Sequence, residues 1–188
     1  MAHDKGGISR SVLLASASAA ALALGVVSPD RAMAQTTTIA TPVTGPYNWT
    51  TGNLSVSSHG AISGGNIGIS ASVHSGTLIN SGTVTGFTYG ILNRVNIDTL
   101  LNSGTVSGSG RIVGALTGTG IQNRGNIGTL TNSGTVSGRF YGIWNVNTIG
   151  TLINNGTAKG NNAGIANSGN ISTLINGGIS GGGIANFG

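Results

Sequence analysis

Gly128-Thr129-Leu130-Thr131-Asn132-Ser133-Gly134-Thr135-Val136 is one copy of a phrase that the chain repeats. It returns as Gly76-Thr77-Leu78-Ile79-Asn80-Ser81-Gly82-Thr83-Val84 and as Gly150-Thr151-Leu152-Ile153-Asn154-Asn155-Gly156-Thr157-Ala158. Without its first glycine it returns as Thr99-Leu100-Leu101-Asn102-Ser103-Gly104-Thr105-Val106, and shortened as Thr173-Leu174-Ile175-Asn176. The anchoring leucines stand at 78, 100, 130, 152 and 174, so the spacings are 22, 30, 22 and 22. The period is 22 residues, and one copy carries eight extra, most simply placed between Ser109 and Leu116.

Two further phrases ride on the same period. Gly90-Ile91-Leu92-Asn93, Gly120-Ile121-Gln122-Asn123, Gly142-Ile143-Trp144-Asn145, Gly164-Ile165-Ala166-Asn167 and Gly183-Ile184-Ala185-Asn186 form one. Asn96-Ile97, Asn126-Ile127, Thr148-Ile149 and Asn170-Ile171 form the other. Each unit thus holds three short segments of alternating apolar character, bounded by Gly, Asn and Ser, which spells strands between turns. The glycine density and the period of two exclude helix. A unit this small buries its apolar side only by stacking on its neighbours, so the fixed period predicts a solenoid. Three strands per turn make it an all-β, right-handed parallel β-helix with coils of about 22 residues. Leu130, Val136, Ile143 and Ile149 are expected to point inward and to stack on their equivalents about 4.8 Å away. Asn80, Asn102, Asn132, Asn154 and Asn176 line up at one turn, and Asn93, Asn123, Asn145, Asn167 and Asn186 at another. Stacked amides can hydrogen-bond along the axis; the alternative is ordinary turn chemistry, since Asn tolerates left-handed backbone dihedrals.

Composition narrows the class. Among 188 residues only 6% are charged, 35 are Gly and none is Cys. Disorder would require few apolar residues, and here they make up 38%. Collagen would require Gly at every third position and abundant Pro, of which there are three. The net charge of +5 comes from eight basic residues against three acids. Five of those cations, Arg94, Arg111, Arg124, Arg139 and Lys159, lie beyond residue 34 with Asp98 as the single acid there. They are too few and too scattered for the many phosphate contacts on which nucleic-acid binders depend, so no nucleic-acid partner is expected. The lack of Cys suits passage through an oxidising compartment.

Lys5 and Arg10 precede a charge-free, Ala- and Leu-rich stretch from Ser11 to Pro29, followed by Ala32-Met33-Ala34. This is the order of a cleavable signal peptide over residues 1–34, with Gln35 as the mature start. Ser11, Ser16 and Ser18 dilute the run too far for a membrane helix of about 20 strongly apolar residues. The expected organisation is therefore a signal peptide at 1–34, an N-terminal lead-in or cap region at 35–75, and about five coils at 76–188.

Residues 128–143 resemble the repeats of bacterial autotransporter passenger domains, which run Gly-Thr-Leu-x-Asn-Ser-Gly-Thr-Val-Ser-Gly and Gly-Ile-x-Asn-x-Gly-x-Ile. The resemblance covers Gly76 to Gly188. It implies export through the periplasm to the surface of a Gram-negative bacterium, with an outer-membrane β-barrel as translocator. No barrel is found in this sequence, so the chain is expected to be a truncated passenger or to depend on another protein for export.

Catalysis finds little to work with. β-Helical polysaccharide lyases and hydrolases need carboxylates or a base with a cation, and past residue 34 only Asp98 is available. His59 and His74 have no acidic or Cys partner nearby, so neither a metal site nor a cofactor is expected. The variable part of the coils carries Phe87, Tyr89, Arg111, Arg139, Phe140 and Tyr141 in equivalent places, with Trp144 outward from Ile143. Aromatics with Arg on a rigid scaffold suit a carbohydrate or protein ligand. These residues form the candidate binding edge, against the plainer reading that they cover the coil edges. The expected function is a noncatalytic secreted or surface-displayed module: adhesin, stalk or display scaffold, with a host-surface glycan or protein as ligand. The alternatives are a remnant of a β-helical polysaccharide-acting enzyme and an ice-binding protein acting through the Thr77 and Thr83 columns. An uncapped terminal coil would also expose strand edges, which predicts edge-to-edge self-association.

Overall fold

The computed structural model describes residues 35–73, 75–111 and 117–188. The expected signal peptide, His74 and residues 112–116 of the insertion lie outside the described residues. The described residues wind through seven rungs of three strands. The first two are β1 (Thr36–Ile39), β2 (Pro42–Thr44), β3 (Tyr47–Trp49) and β4 (Asn53–Val56), β5 (Ala61–Ser63), β6 (Ile67–Ala71). The next two are β7 (Ser75–Asn80), β8 (Thr83–Gly86), β9 (Tyr89–Asn93) and β10 (Asn96–Asn102), β11 (Thr105–Gly108), β12 (Thr119–Asn123). The last three are β13 (Asn126–Asn132), β14 (Thr135–Gly138), β15 (Tyr141–Asn145); β16 (Thr148–Asn154), β17 (Thr157–Lys159), β18 (Ala163–Asn167); and β19 (Asn170–Asn176), β20 (Ile179–Gly181), β21 (Ile184–Asn186).

Each strand pairs with its equivalents in the rungs before and after it, always in parallel, which yields three sheets of seven strands. We call them A (from β1), B (from β2) and C (from β3). The fold is the parallel β-helix that the period predicts. Leu54, Leu78, Leu100, Leu130 and Leu152 stand in register along sheet A. Ile62, Val84, Val106, Val136 and Ala158 do the same along B, and Ile69, Ile91, Ile121, Ile143 and Ile165 along C. All are buried and belong to one continuous apolar cluster with Ile97, Ile127 and Ile149. Burial of one Leu or Ile side chain is worth about 1.5–3 kcal/mol, so the columns supply the main cohesion between coils.

The asparagines form ladders. Asn80 Nδ2 donates to Asn102 Oδ1 at 2.8 Å, and the chain of amides continues through Asn132, Asn154 and Asn176 at 2.7 Å per step. The second ladder runs Asn93, Asn123, Asn145, Asn167, Asn186 at 2.7–2.8 Å. Every step donates toward the C-terminal end. The amides also reach backbone carbonyls at the start of the following strands, as Asn132 does to Thr157 O at 3.1 Å and Asn123 to Thr148 O at 2.9 Å. The corner residues after the first ladder pack so closely that a Cβ at Gly104, Gly134 or Gly156 would strike the carbonyl oxygen of the glycine one coil below.

The segment set apart as a lead-in continues the solenoid: residues 36–71 supply two rungs hydrogen-bonded into the same three sheets. Their corners are different. Val56 occupies the place of Asn80, and Trp49 and Ala71 that of Asn93, so the amide ladders begin only at the third rung. Asn80 Oδ1, with no amide behind it, is buried without a hydrogen-bond partner. The first rung carries Thr36, Thr37 and Thr38 and Pro42, which has no N–H to offer a passing strand. The opposite end is open: Leu174, Ile179 and Ile184 are 39, 66 and 48% exposed. The inserted residues fall between β11 and β12, where 109–118 replace the two-residue turns 87–88 and 139–140.

Asn132→Ala removes the middle of a buried ladder and leaves the amides of Asn102 and Asn154 each short of a partner. We expect it to cost about 2–4 kcal/mol, measured by urea unfolding of the purified chain. Asn126→Ala, which removes an exposed amide bonded to Asn96, should stay within about 0.5 kcal/mol. Equal effects would contradict the ladder account.

Candidate functional site

Among the described residues, aromatic and cationic side chains come together on sheet C and on the corner that leads into it. Next to the isoleucines of the main core runs a second column of Ser70, Leu92, Gln122, Trp144, Ala166 and Ala185, in register from rung to rung, of which Ser70, Leu92, Gln122 and Ala166 are buried. Beside it, Tyr89, Thr119, Tyr141 and Ala163 share a second register position. Tyr141 and Trp144 are only three residues apart and yet pack together, with ring centroids 5.0 Å apart and planes inclined by 44°. Strict alternation would send them to opposite faces. The cross-strand pairing skips Gly120 and Gly142, between the Thr119–Tyr141 and Ile121–Ile143 pairs, and the bend there brings both rings outward.

These rings build a small apolar cluster outside the main core, in which Tyr141, Ala163 and Ala166 are buried and Phe140, Trp144 and Ala185 pack against them. The Trp144 indole Nε1 donates to Ser168 Oγ at 3.3 Å. Two rungs toward the N-terminus, the Arg124 guanidinium lies 5.9 Å from the centre of the Tyr89 ring, and its Nη2 is 3.4 Å from the Tyr89 hydroxyl. Arg94, at the same corner one coil below Arg124, donates from Nη1 to Ser70 Oγ at 3.3 Å.

The seven residues of the expected binding edge separate into two neighbouring groups. Tyr89, Tyr141 and Trp144 belong to the strands of sheet C. Phe87, Arg111, Arg139 and Phe140 sit on the corner between sheets B and C, where successive turns stack by backbone hydrogen bonds from Gly118 to Thr88, Phe140 to Gly118 and Asn162 to Phe140, at 3.0–3.1 Å. Phe87 is 47% exposed and overlies Gly110. Arg111 and Arg139 are exposed. Arg94, Arg124, Gln122 and Ser168 complete the face and were not part of the expected edge. For the two arginines the signal was present, since each directly follows an Asn of the second ladder.

The charges are segregated. Arg94 and Arg124 stand on the corner leaving sheet C, Arg111 and Arg139 on the corner leading into it, and Lys159 at the end of β17 beside that same corner. Among the described residues the one carboxylate side chain, Asp98, projects from β10 on sheet A and is exposed. No group of three His, Cys, Asp or Glu side chains able to hold a metal occurs among the described residues. His59 is exposed in the turn between β4 and β5, within 3.3 Å of Ser58 Oγ.

Gln122 is anomalous. It is fully buried between Leu92 and Trp144, and neither its Oε1 nor its Nε2 finds a hydrogen-bond partner. A buried amide left unpaired costs about 1–3 kcal/mol, whereas Leu92 holds the same position one coil below with no such cost. Gln122→Leu is therefore expected to raise the thermal unfolding midpoint. A lower midpoint would mean that the amide has a partner in solution and contributes to holding the face together.

Comparison with known proteins returns no matching family model, no matching curated protein and no matching solved structure. What these residues share with passenger domains is a resemblance of repeat motifs together with the parallel β-helix fold.

Proposed function

We propose that the chain is a noncatalytic, surface-displayed β-helix of the autotransporter-passenger kind, serving as adhesin, stalk or display module and binding through the corner between sheets B and C, where Phe87, Arg111 and Arg139 are exposed. The observation that supports this reading is the exposure of Phe87, Arg111 and Arg139 at neighbouring turns of one corner, in a chain of which only 6% is charged and 4% aromatic. A rigid hydrogen-bonded scaffold holds such side chains with little ordering cost on binding. Seven rungs span roughly 29 Å at ~4.8 Å per step, which suits presentation of a face better than long reach. The noncatalytic reading is supported by the supply of acids: glycosidic-bond cleavage by paired carboxylates needs two, and the described residues provide Asp98 alone.

Display requires export, for which the reading invokes the N-terminal segment as a signal peptide and an outer-membrane β-barrel as translocator. Protease shaving of intact Gram-negative cells producing the chain with a C-terminal tag tests this, with periplasm and medium assayed in parallel. Loss of the tag from intact cells is the expected result. Protected protein held in the periplasm would contradict display by this chain on its own.

A further inference from the structure

We propose that the outer face of sheet B is an ice-binding surface, a lattice of hydroxyls that docks on a growing ice crystal. The first observation is pairing. Thr83, Thr105, Thr135 and Thr157 stand in one register column along sheet B, and Thr85, Ser107 and Ser137 stand in a second, two residues further along the same strands. Ser63 extends the second column one coil toward the N-terminus, and Lys159 follows Ser137 at its other end. Side chains two apart in a strand share a face, so both columns point away from the buried Val84, Val106 and Val136. Three complete hydroxyl pairs thus lie on adjacent coils. They are about 4.8 Å apart along the axis, and the two columns are roughly 6.6 Å apart across it. Oxygen rows in ice repeat at distances of this order.

The second observation is availability. Thr83, Thr105 and Thr135 are exposed, and Thr85, Ser107 and Ser137, with neighbours above and below, are half-buried. Thr85 Oγ1 donates to Ile62 O at 3.4 Å. The hydroxyls of Thr83, Thr105, Thr135, Ser107 and Ser137 bond to no described residue, so they take their hydrogen bonds from water. Hydroxyls held in register by a hydrogen-bonded sheet order one shared water layer with little further ordering of the protein. Each threonine also sets a methyl group beside its hydroxyl, and water packs around that group instead of bonding to it.

The third observation selects the ligand. The two columns carry no aromatic ring on which a sugar face would stack, and no charge before Lys159 to hold a polyion. Sheet A lacks the same lattice. Two residues beyond its Thr77, Thr99, Thr129 and Thr151 stand Ile79, Leu101, Thr131 and Ile153, and Asp98 adjoins Thr99. The second column of sheet C is largely buried. An uncharged, rigid and periodic array of hydroxyl and methyl groups matches a solid whose own surface is a periodic array of water oxygens. Phe87, Arg111 and Arg139 take no part in it, so this surface is distinct from the binding corner proposed above.

The test is partition of the purified chain into a slowly advancing ice front, with serum albumin as an excluded standard and the unfolding midpoint measured for each variant. We expect the chain to enter the ice and the albumin to stay in the liquid. Thr105→Lys puts a long charged side chain in the middle of the lattice and should lower the ice fraction about five-fold or more, since it breaks the complementarity of a flat contact. Ser107→Lys should do the same, in a column that already admits Lys159 two coils on. It keeps the test open if Thr105→Lys lowers the midpoint. Thr129→Lys, in the threonine column of sheet A, should leave the ice fraction unchanged. Exclusion of the unaltered chain from ice, an undiminished ice fraction in Ser107→Lys, or an equal loss in Thr129→Lys would each overturn the proposal. The shaving experiment reads display alone, so its failure and the failure of ice binding are separable.

Discussion

A primary amide buried at a corner of a β-helix has two N–H groups and an oxygen to satisfy, and no water to satisfy them. In this chain the solution is repetition. Each asparagine of the two ladders except the last donates to the same residue of the next coil, and the amides also reach nearby backbone carbonyls, as Asn102 does to Thr135 O and Asn123 to Thr148 O. A coil displaced by one residue would break the amide contacts and turn its apolar column outward at the same stroke. The ladders thus tie register to hydrophobic burial, and the remaining features of the solenoid follow: the in-register Leu, Val and Ile columns, the corner glycines that admit a carbonyl at close range, and the outward columns on each face.

The same constraint explains the ends. A ladder that donates in one direction needs an acceptor at every step but no donor behind its first member. Its first oxygen, on Asn80, is accordingly left unpaired against Val56. Toward the N-terminus the amides give way to Val56, Ala71 and Trp49, and the edge is blunted by Pro42. Toward the C-terminus the aliphatic columns run out into solvent at Leu174 and Ile184.

What could be read from the sequence was whatever recurs with the period. Leu130, Val136, Ile143 and Ile149 are inward and buried, both asparagine columns are amide ladders, and the eight extra residues fall in one connection. The two N-terminal rungs escaped because they lack the asparagines and break the spacing: Leu54 and Leu78 are 24 residues apart, while Thr37 stands only 17 before Leu54. The candidate face was legible in part. Its aromatics stand out in a chain that is 4% aromatic. Their convergence was hidden, because it depends on the bend at Gly142, and so was the pairing of Arg124 with Tyr89 across 35 residues. These residues stand where the repeat departs from itself, and a departure has no neighbour in the sequence to confirm it.

The claim that amide ladders couple one coil to the next is tested most directly by double-mutant cycles on equilibrium unfolding. Asn132→Ala combined with Asn154→Ala removes two neighbours of one ladder, while Asn132→Ala combined with Asn145→Ala takes one member from each. The account predicts a coupling of about 1–3 kcal/mol within the ladder and near-additivity across the two. Additivity in both cycles would mean that each asparagine acts alone in its own turn, and would contradict the account.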